Sequence, residues 1–184
     1  MIRLDHVFAG YPGKKVLENL TLTLPDPGRI AVMAPSGYGK TTLLRLLAGL
    51  MQPESGRIAG MENRKIALLF QEDRLLPWLT AEKNVEIVSD PETAKKWLRE
   101  MEIDDGSLYP HEMSGGMQRR TALARALAYG GDTLLLDEPF KGLDDALKER
   151  VAARIKNAAP LIVLSVHDAA EAALMDAQIV HLDP

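Results

Sequence analysis

The sequence predicts an α/β fold with a mostly parallel central sheet, an N-terminal antiparallel β subdomain and a small α-helical insertion. Apolar runs typical of buried strands alternate with helix-like segments, which favours parallel strands at the centre of a sheet. The clearest runs are residues 66–70, 133–136 and 161–166. Residues 2–8 and 20–24 instead alternate apolar and polar side chains, as strands with one solvated face do.

The domain organisation follows from a change of composition after residue 71. Residues 72–112 are rich in charge, contain three prolines and carry helix-start signals. We therefore expect one domain over residues 1–184, in which residues 1–71 and 117–184 form the core with its β subdomain. Residues 72–116 would form the helical insertion.

The composition excludes several classes of function. The chain is 46% hydrophobic and 26% charged, which is ordinary for a soluble globular protein. A net charge of −4 argues against broad nucleic-acid binding, and the lack of cysteine excludes disulfides and thiolate chemistry. There is no signal-peptide pattern and no apolar stretch of about 18 residues, so any membrane span would belong to another chain. The chain ends at Asp183-Pro184, and we expect no attached regulatory domain.

The first motif is a glycine-rich loop between a strand and a helix. Ala34–Thr42 follows a mainly apolar run at residues 29–32 and leads into a helix predicted over residues 40–48, with Gly49 as its C′ residue. This order is typical of a phosphate-binding loop, because backbone N–H groups and the positive helix end can surround a polyphosphate. A plain glycine turn is the alternative, and Ala34 stands where the pattern has its first glycine.

Four side chains add chemistry to this loop. Lys40 would place a positive charge on the outer phosphates, and the hydroxyl of Thr41 would ligate Mg²⁺. Asp137 and Glu138 follow the buried strand predicted at residues 133–136, and ligands bind at the carboxyl ends of parallel strands. Asp137 would hold Mg²⁺, directly or through water, and Glu138 would polarise a water for attack on the γ-phosphate. By themselves, the two acids also fit a plain acidic turn.

Two further polar residues follow buried runs and are expected at the same edge of the sheet. Gln71 follows residues 66–70, and its amide would contact Mg²⁺ or the attacking water. His167 follows residues 161–166, a position where a titratable imidazole suits catalysis. A hydrogen-bonded structural histidine is the alternative for His167.

A second glycine-rich helix start occurs at Ser114-Gly115-Gly116, which opens a helix predicted to end near Tyr129. Ser114 would cap this helix, and the paired glycines would let its backbone approach an anion closely. One nucleotide does not need two such helix starts within one chain. A second subunit would bring this segment onto the phosphates bound by the first.

Together, these residues closely resemble the ATP-binding subunit of ABC transporters, in order and coarse spacing from Tyr11 to His167. The resemblance rests on the Walker A loop at 34–42, the Q-loop at 70–72, the signature at 113–117, Walker B at 134–138, the D-loop at 142–144 and the switch histidine at 167. It implies a P-loop NTPase core with ATP and Mg²⁺ as cofactors. It also implies a head-to-tail homodimer, in which each ATP lies between the Walker A loop of one subunit and the signature of the other.

The resemblance assigns a role to each site residue. The catalytic residues would be Glu138, His167, Gln71 and Lys40, and Mg²⁺ would be held by Thr41, Gln71 and Asp137. ATP would be bound by Tyr11, Ser36, Gly37, Tyr38, Gly39, Lys40, Thr41, Thr42, Ser114, Gly115, Gly116 and Asp144. Tyr11 is similar to the aromatic residue that stacks on adenine, with a turn tyrosine as the alternative.

The resemblance further implies that ATP hydrolysis powers solute transport through a separate membrane permease. Residues 72–78 and the Ser-Gly-Gly-Met form of the signature resemble importers of nitrate, sulfonates and taurine. We therefore expect small-solute import, a solute-binding protein as a further partner, no nucleic acid, and a cytoplasmic subunit peripheral on the inner face of the cell membrane. The alternatives are an ATP-gated dimerisation module with little turnover and a non-transport ABC ATPase. Relatives of the latter kind carry coiled coils or zinc modules, for which the interval from Gln71 to Ser114 leaves no room.

Overall fold

The computed structural model describes residues 1–182, and within them the larger of two sheets is parallel throughout. Its strands, in spatial order, are β5 (Ile66–Leu69), β6 (Thr133–Asp137), β7 (Leu161–Val166), β3 (Gly28–Met33) and β8 (Gln178–His181). All neighbouring pairs run parallel, and every residue of β6 and β7 is buried. The predicted parallel central sheet is confirmed. Asp183 and Pro184 lie outside the described residues.

The smaller sheet is antiparallel and lies at the N-terminus, as predicted. It has the order β2-β1-β4, formed by β1 (Ile2–Tyr11), β2 (Lys14–Leu24) and β4 (Ser55–Ala59). In β1, Ile2 and Leu4 are buried while Arg3 and Asp5 are exposed, which is the alternation that the sequence carries. Strand β4 was absent from the sequence-based prediction, since its residues include no apolar run.

The helices are α1 (Lys40–Leu47), α2 (Ala81–Glu86), α3 (Pro91–Glu100), α4 (Gly115–Tyr129), α5 (Asp145–Ile155) and α6 (Ala169–Leu174). Helices α2 and α3 lie within the predicted insertion and pack on α4. The sequence predicts a helix over roughly residues 145–158 between the second and third apolar runs. Helix α5 instead ends at Ile155, because the chain turns there to enter β7 at Leu161. Across residues 1–182, no helix combines the length and apolar character that crossing a membrane requires.

Apolar side chains pack on both faces of the parallel sheet. Successive residues of a strand point to opposite faces. In β6, Leu134 and Leu136 therefore join an apolar cluster with α4 and α5, whereas Leu135 joins one with α1 and the small sheet. With both faces covered, the carboxyl-terminal edge of the sheet is left for polar chemistry. Asp137 ends β6 at this edge, and His167 follows β7 there.

Candidate active site

The glycine-rich loop joins β3 to α1 in a conformation that requires glycine. Gly37 and Gly39 have φ angles of 87° and 93°, in the left-handed region. A Cβ atom on Gly39 would lie 2.5 Å from the Leu17 side chain, so a larger residue would clash there. Gly39 is the N-cap of α1 and offers no capping side chain, which leaves the helix start available to an anion.

Lys40 is held inside this loop. It is only 7% exposed, and its Nζ donates to the carbonyl oxygens of Ala34 at 2.6 Å and Pro35 at 3.3 Å. The ammonium group is therefore a fixed positive charge at the centre of the loop. Because Ala34 contributes its carbonyl oxygen here, alanine serves this contact as well as glycine would.

A cleft of about 260 Å³ brings together most of the predicted nucleotide-binding residues. It is lined by Tyr11, Lys14, Val16, Ser36, Gly37, Gly39, Lys40, Thr41, Thr42, Gln71 and Glu138. Lys14 and Val16 were missed by sequence reasoning, because a lysine beside a turn and a valine in a strand form no motif. Lys14 and Lys40 make the cleft suitable for a polyanion.

Tyr11 lies at the end of β1, and the residue is 41% exposed. Its hydroxyl oxygen accepts a hydrogen bond from Arg45 Nη1 at 2.8 Å. This bond orients the ring beside the phosphate loop. The exposed ring is thus available for stacking by a base.

Asp137 provides a buried carboxylate suited to a hard cation. It is 3% exposed, Thr41 Oγ1 donates to its Oδ2 at 2.7 Å, and Ser165 Oγ donates to its Oδ1 at 2.7 Å. Gln71 lines one small pocket together with Thr41 and Asp137, so the three predicted Mg²⁺ ligands lie around one point. Mg²⁺ prefers one or two such protein oxygens together with substrate phosphates and water, and this donor set fits it. Within residues 1–182 there is no cluster of three or more His, Cys, Asp or Glu side chains that would hold a metal by themselves.

Glu138 and His167 form the pair that sequence reasoning placed at this edge. His167 Nε2 lies 3.2 Å from Glu138 Oε1, while the His167 side chain remains 50% exposed. Glu138 has a φ of 53°, a left-handed conformation that costs energy in a residue other than glycine. Its backbone N–H donates to Ser165 Oγ at 2.9 Å. Ser165 therefore fixes both acids, although sequence reasoning missed it as one polar residue in an apolar strand.

The second glycine-rich segment lies apart from the cleft. Ser114 is exposed, and its Oγ accepts from the Met117 N–H at 3.2 Å, which caps α4 as predicted. A Cβ on Gly116 would lie 3.2 Å from the carbonyl oxygen of Gly142, so this segment adjoins the one that leads to Asp144. Asp144 caps α5 by accepting from the Leu147 N–H at 2.9 Å.

The structure thus divides the predicted site residues into two groups. Among the described residues, neither the cleft lining nor the adjoining pocket includes Tyr38, Ser114, Gly115, Gly116 or Asp144. The phosphate loop, the acids and Gln71 form one wall of a site. The segment of Ser114–Gly116 with Asp144 forms a separate exposed surface.

Two arginines of α4 contact the segment that follows β5, and sequence reasoning missed both. Arg119 is 2% exposed and bonds to the carbonyl oxygens of Phe70 and Glu138. Arg125 donates to the carbonyl oxygens of Arg74 at 2.9 Å and Asp73 at 2.8 Å. Burial lowers the pKa of Arg125, with Asp73 acting in the opposite direction. In the sequence they are two of the three arginines in a helix otherwise rich in alanine and leucine, and no motif distinguishes them.

Comparison with known proteins agrees with this geometry. The family model described as ABC transporter matches residues 17–141, more than half of the chain. A taurine import ATP-binding protein of Escherichia coli O157:H7 is 33% identical, over 100% of this chain and 80% of the relative. An aliphatic sulfonates import ATP-binding protein of Pseudomonas savastanoi pv. phaseolicola (strain 1448A / Race 6) is 35% identical, over 93% of this chain and 75% of the relative.

Solved structures show the same fold in dimeric proteins. A dimeric, post-hydrolysis ATP-binding cassette bound to ADP and Pi matches with a TM-score of 0.88 at 26% identity, covering 100% of this chain and 94% of that one. A dimeric bacterial ABC transporter cassette matches with a TM-score of 0.89 at 28% identity, covering 99% and 94%. The motifs, the fold and these relatives agree, and the chain belongs to the ABC transporter family as an ATP-binding subunit with ATPase activity.

Proposed function

We propose that this chain binds ATP with Mg²⁺ in the cleft, hydrolyses ATP as a head-to-tail dimer and powers import of a small solute through a separate membrane permease. One observation carries the proposal. A phosphate loop, a buried carboxylate in contact with Thr41, and the Glu138–His167 pair all meet at one edge of the sheet. This combination supplies what phosphoryl transfer to water requires, which is positioning, charge stabilisation and a base.

In this mechanism each residue has a defined task. The loop backbone and Lys40 bind the outer phosphates, and Thr41, Asp137 and Gln71 hold Mg²⁺, which offsets charge on the phosphate oxygens when bound. Glu138 accepts a proton from the attacking water. His167 holds the Glu138 carboxylate through the 3.2 Å contact.

A second copy of the chain completes the site. The cleft of about 260 Å³ is smaller than the roughly 300–1,000 Å³ of most enclosed ligand sites, as expected of one wall. The Ser114–Gly116 segment has the helix start and glycines suited to phosphate, yet its residues do not line the cleft of their own subunit. Two-fold symmetry would place it over the cleft of the other subunit.

The membrane partner is proposed from the relatives and from the exposed surface of the insertion. Relatives named for import of taurine and aliphatic sulfonates support a permease, a solute-binding protein and a small solute of similar kind. Trp78 and Ile87 are 68% and 52% exposed, and large apolar side chains of this kind favour a protein interface. We therefore place the subunit at the inner face of the membrane, with residues 72–116 toward the permease.

The substitution Glu138→Gln tests the hydrolytic mechanism. Removal of the base should lower the kcat for ATP hydrolysis by at least about 100-fold. ATP binding should persist, so the variant should accumulate as an ATP-bound dimer in size-exclusion chromatography. Glu149→Gln, which changes an exposed acid of α5, is the matched control and should behave as the wild type.

Other outcomes of this experiment favour the alternatives. A wild-type chain that dimerises with ATP but hydrolyses almost none would support the dimerisation module. Unchanged turnover in Glu138→Gln would refute the assigned base. An active chain that never co-purifies with a co-expressed permease encoded beside it would favour a non-transport ATPase.

A further inference from the structure

One guanidinium group, that of Arg119, joins the two segments that carry the catalytic groups. Its Nη1 donates to the carbonyl oxygen of Phe70 at 2.7 Å and of Gln71 at 3.5 Å. Its Nη2 and Nε donate to the carbonyl oxygen of Glu138 at 2.9 and 3.2 Å, and Nη2 also contacts that of Asp137. The segment after β5 and the end of β6 are thus held by one rigid planar group.

The burial of the Arg119 charge indicates that its hydrogen bonds to these two segments are strong and specific. The Arg119 side chain is 3% exposed, and within residues 1–182 its one ionic partner is Asp73, whose Oδ1 lies 2.8 Å from Nη1. A buried guanidinium is unfavourable unless its N–H groups are paired, and here three nitrogen atoms donate to four backbone carbonyls and a carboxylate. Movement of either segment alone would leave part of this charge unpaired.

We propose that Arg119 is a positioning residue for ATP hydrolysis, which keeps Gln71 and Glu138 in register across the cleft. The proposal rests on the proposed function, since it presumes that these two side chains act on the γ-phosphate and the attacking water. Glu138 occupies an unfavourable left-handed conformation, and the two bonds to its carbonyl oxygen help to hold it there.

The same contacts couple the cleft to the signature helix. Arg119 and Arg125 both belong to α4, which begins next to Ser114 and binds residues 70–74 at both ends of that segment. A displacement of Gln71 on nucleotide binding therefore displaces α4, and with it Ser114. In the dimer, Ser114 contacts the ATP of the other subunit, so Arg119 also links the two ATP sites.

The test compares Arg119→Met and Arg119→Lys with Arg120→Met in the purified chain. Arg120 is the matched control, because it lies next on the same helix and donates to the carbonyl oxygens of Met101 and Glu102, away from the cleft. Loss of alignment should lower the kcat of Arg119→Met by about tenfold or more, with the Kd for ATP changed less than about threefold. Arg120→Met should keep the wild-type kcat.

Arg119→Lys separates positioning from stability. Lysine keeps a charge for Asp73 but lacks the planar fork that spans both segments, so Tm should recover while kcat stays low. A merely structural role predicts instead that kcat recovers with Tm. In addition, the effects of Arg119→Met and Gln71→Ala on kcat should be less than multiplicative, because part of the Arg119 effect acts through Gln71 and part through Glu138.

The outcomes distinguish this inference from the proposed function. Wild-type kcat in Arg119→Met at a temperature where it is fully folded would overturn the inference while leaving the ATPase mechanism intact. Multiplicative effects of Gln71→Ala and Arg119→Met would also overturn it. A wild-type chain without ATP hydrolysis would instead refute the proposed function.

Discussion

At the scale of single residues, Tyr11 is the side chain whose ring and hydroxyl can be tested separately. Its ring is proposed to stack on adenine, while its hydroxyl is bound to Arg45. Tyr11→Ala should raise the Kd for ATP about 5- to 150-fold, the range expected for loss of one base–aromatic stack. Tyr11→Phe keeps the ring and should bind ATP nearly as well as the wild type. Titration calorimetry would measure both, and a weak Tyr11→Phe beside a normal Tyr11→Ala would contradict stacking.

At the same scale, the site residues that were predicted belong to local sequence motifs, whereas those that were missed act through contacts between distant parts of the chain. Lys40 and Asp137 were predicted because each stands at a fixed place in a local pattern, after a strand or at a helix start. Ser165 and Arg119 act by long-range contacts, since Ser165 bonds to Asp137 and Arg119 to Phe70. A local pattern does not record such pairs. They become visible only when the strands and α4 are placed side by side.

At the scale of secondary-structure elements, the strands and helices that were predicted are those with a clear hydrophobic pattern in the sequence. Strand β7 was predicted with its observed bounds because all of its residues except Ser165 are apolar, as burial on both faces demands. Strand β4 is short and its residues are exposed or half-buried, so it has little hydrophobic signal. The sequence contained a signal for helix α6 that the prediction did not use. Asp168 and Glu171 have the spacing of a capping box, and the Asp168 carboxylate accepts a hydrogen bond from the Glu171 N–H.

A pair of ionic contacts joins the end of α3 to α5 and makes a prediction about pH. Arg150 bonds to both carboxylate oxygens of Glu102 at 2.6 and 3.0 Å, and Arg154 contacts Glu100 at 3.0 Å. The hydrogen bond from Arg150 lowers the pKa of Glu102 below its usual 4.5. Glu102→Gln should therefore lower Tm at pH 7, by no more than about 3 °C because the pair is well exposed.

The sign of the pH dependence follows from the lowered pKa. A carboxylate with a lower pKa in the folded state stabilises the fold above its unfolded pKa, and this contribution is lost as pH falls through the folded value. The difference in urea midpoint between wild type and Glu102→Gln should thus be complete at pH 7 and shrink below about pH 4.5. Arg150→Gln should reproduce it, and the double variant should be no less stable than either single one. A difference that persists unchanged at pH 3.5 would exclude the ion pair as its cause.

At the scale of the whole molecule, one chain carries two partial ATP-binding surfaces, and each is proposed to belong to a different ATP site of the dimer. Lys40 and Thr41 line the cleft and Asp137 lines the adjoining pocket, whereas Ser114 and Asp144 lie on a separate exposed surface. Sequence reasoning anticipated a second subunit from the presence of two anion-binding helix starts. The arrangement of the halves follows from the fold, because α1 and α4 pack on opposite faces of the parallel sheet.

This division predicts complementation between two inactive variants. Lys40→Met should abolish phosphate binding in the cleft, and Ser114→Arg should prevent the Ser114–Gly116 segment from contacting the ATP of the other subunit. Each variant alone should therefore have almost no ATPase activity. In a head-to-tail dimer of one subunit of each kind, one site combines two damaged halves and the other combines two intact halves. An equal mixture forms mixed dimers in about half of all cases, so about a quarter of wild-type activity should return.

A second mixture serves as the control for this experiment. Lys40→Met and Asp137→Ala both damage the cleft, so every site of their mixed dimer contains one damaged cleft and no activity should return. Differently tagged subunits, mixed with ATP and captured through one tag, would verify that mixed dimers form in both cases. If captured Lys40→Met/Ser114→Arg dimers stay inactive, or if the control pair recovers, the two halves do not meet across subunits. Recovery confined to the first pair requires that Ser114 of one chain completes the site built on Lys40 of the other.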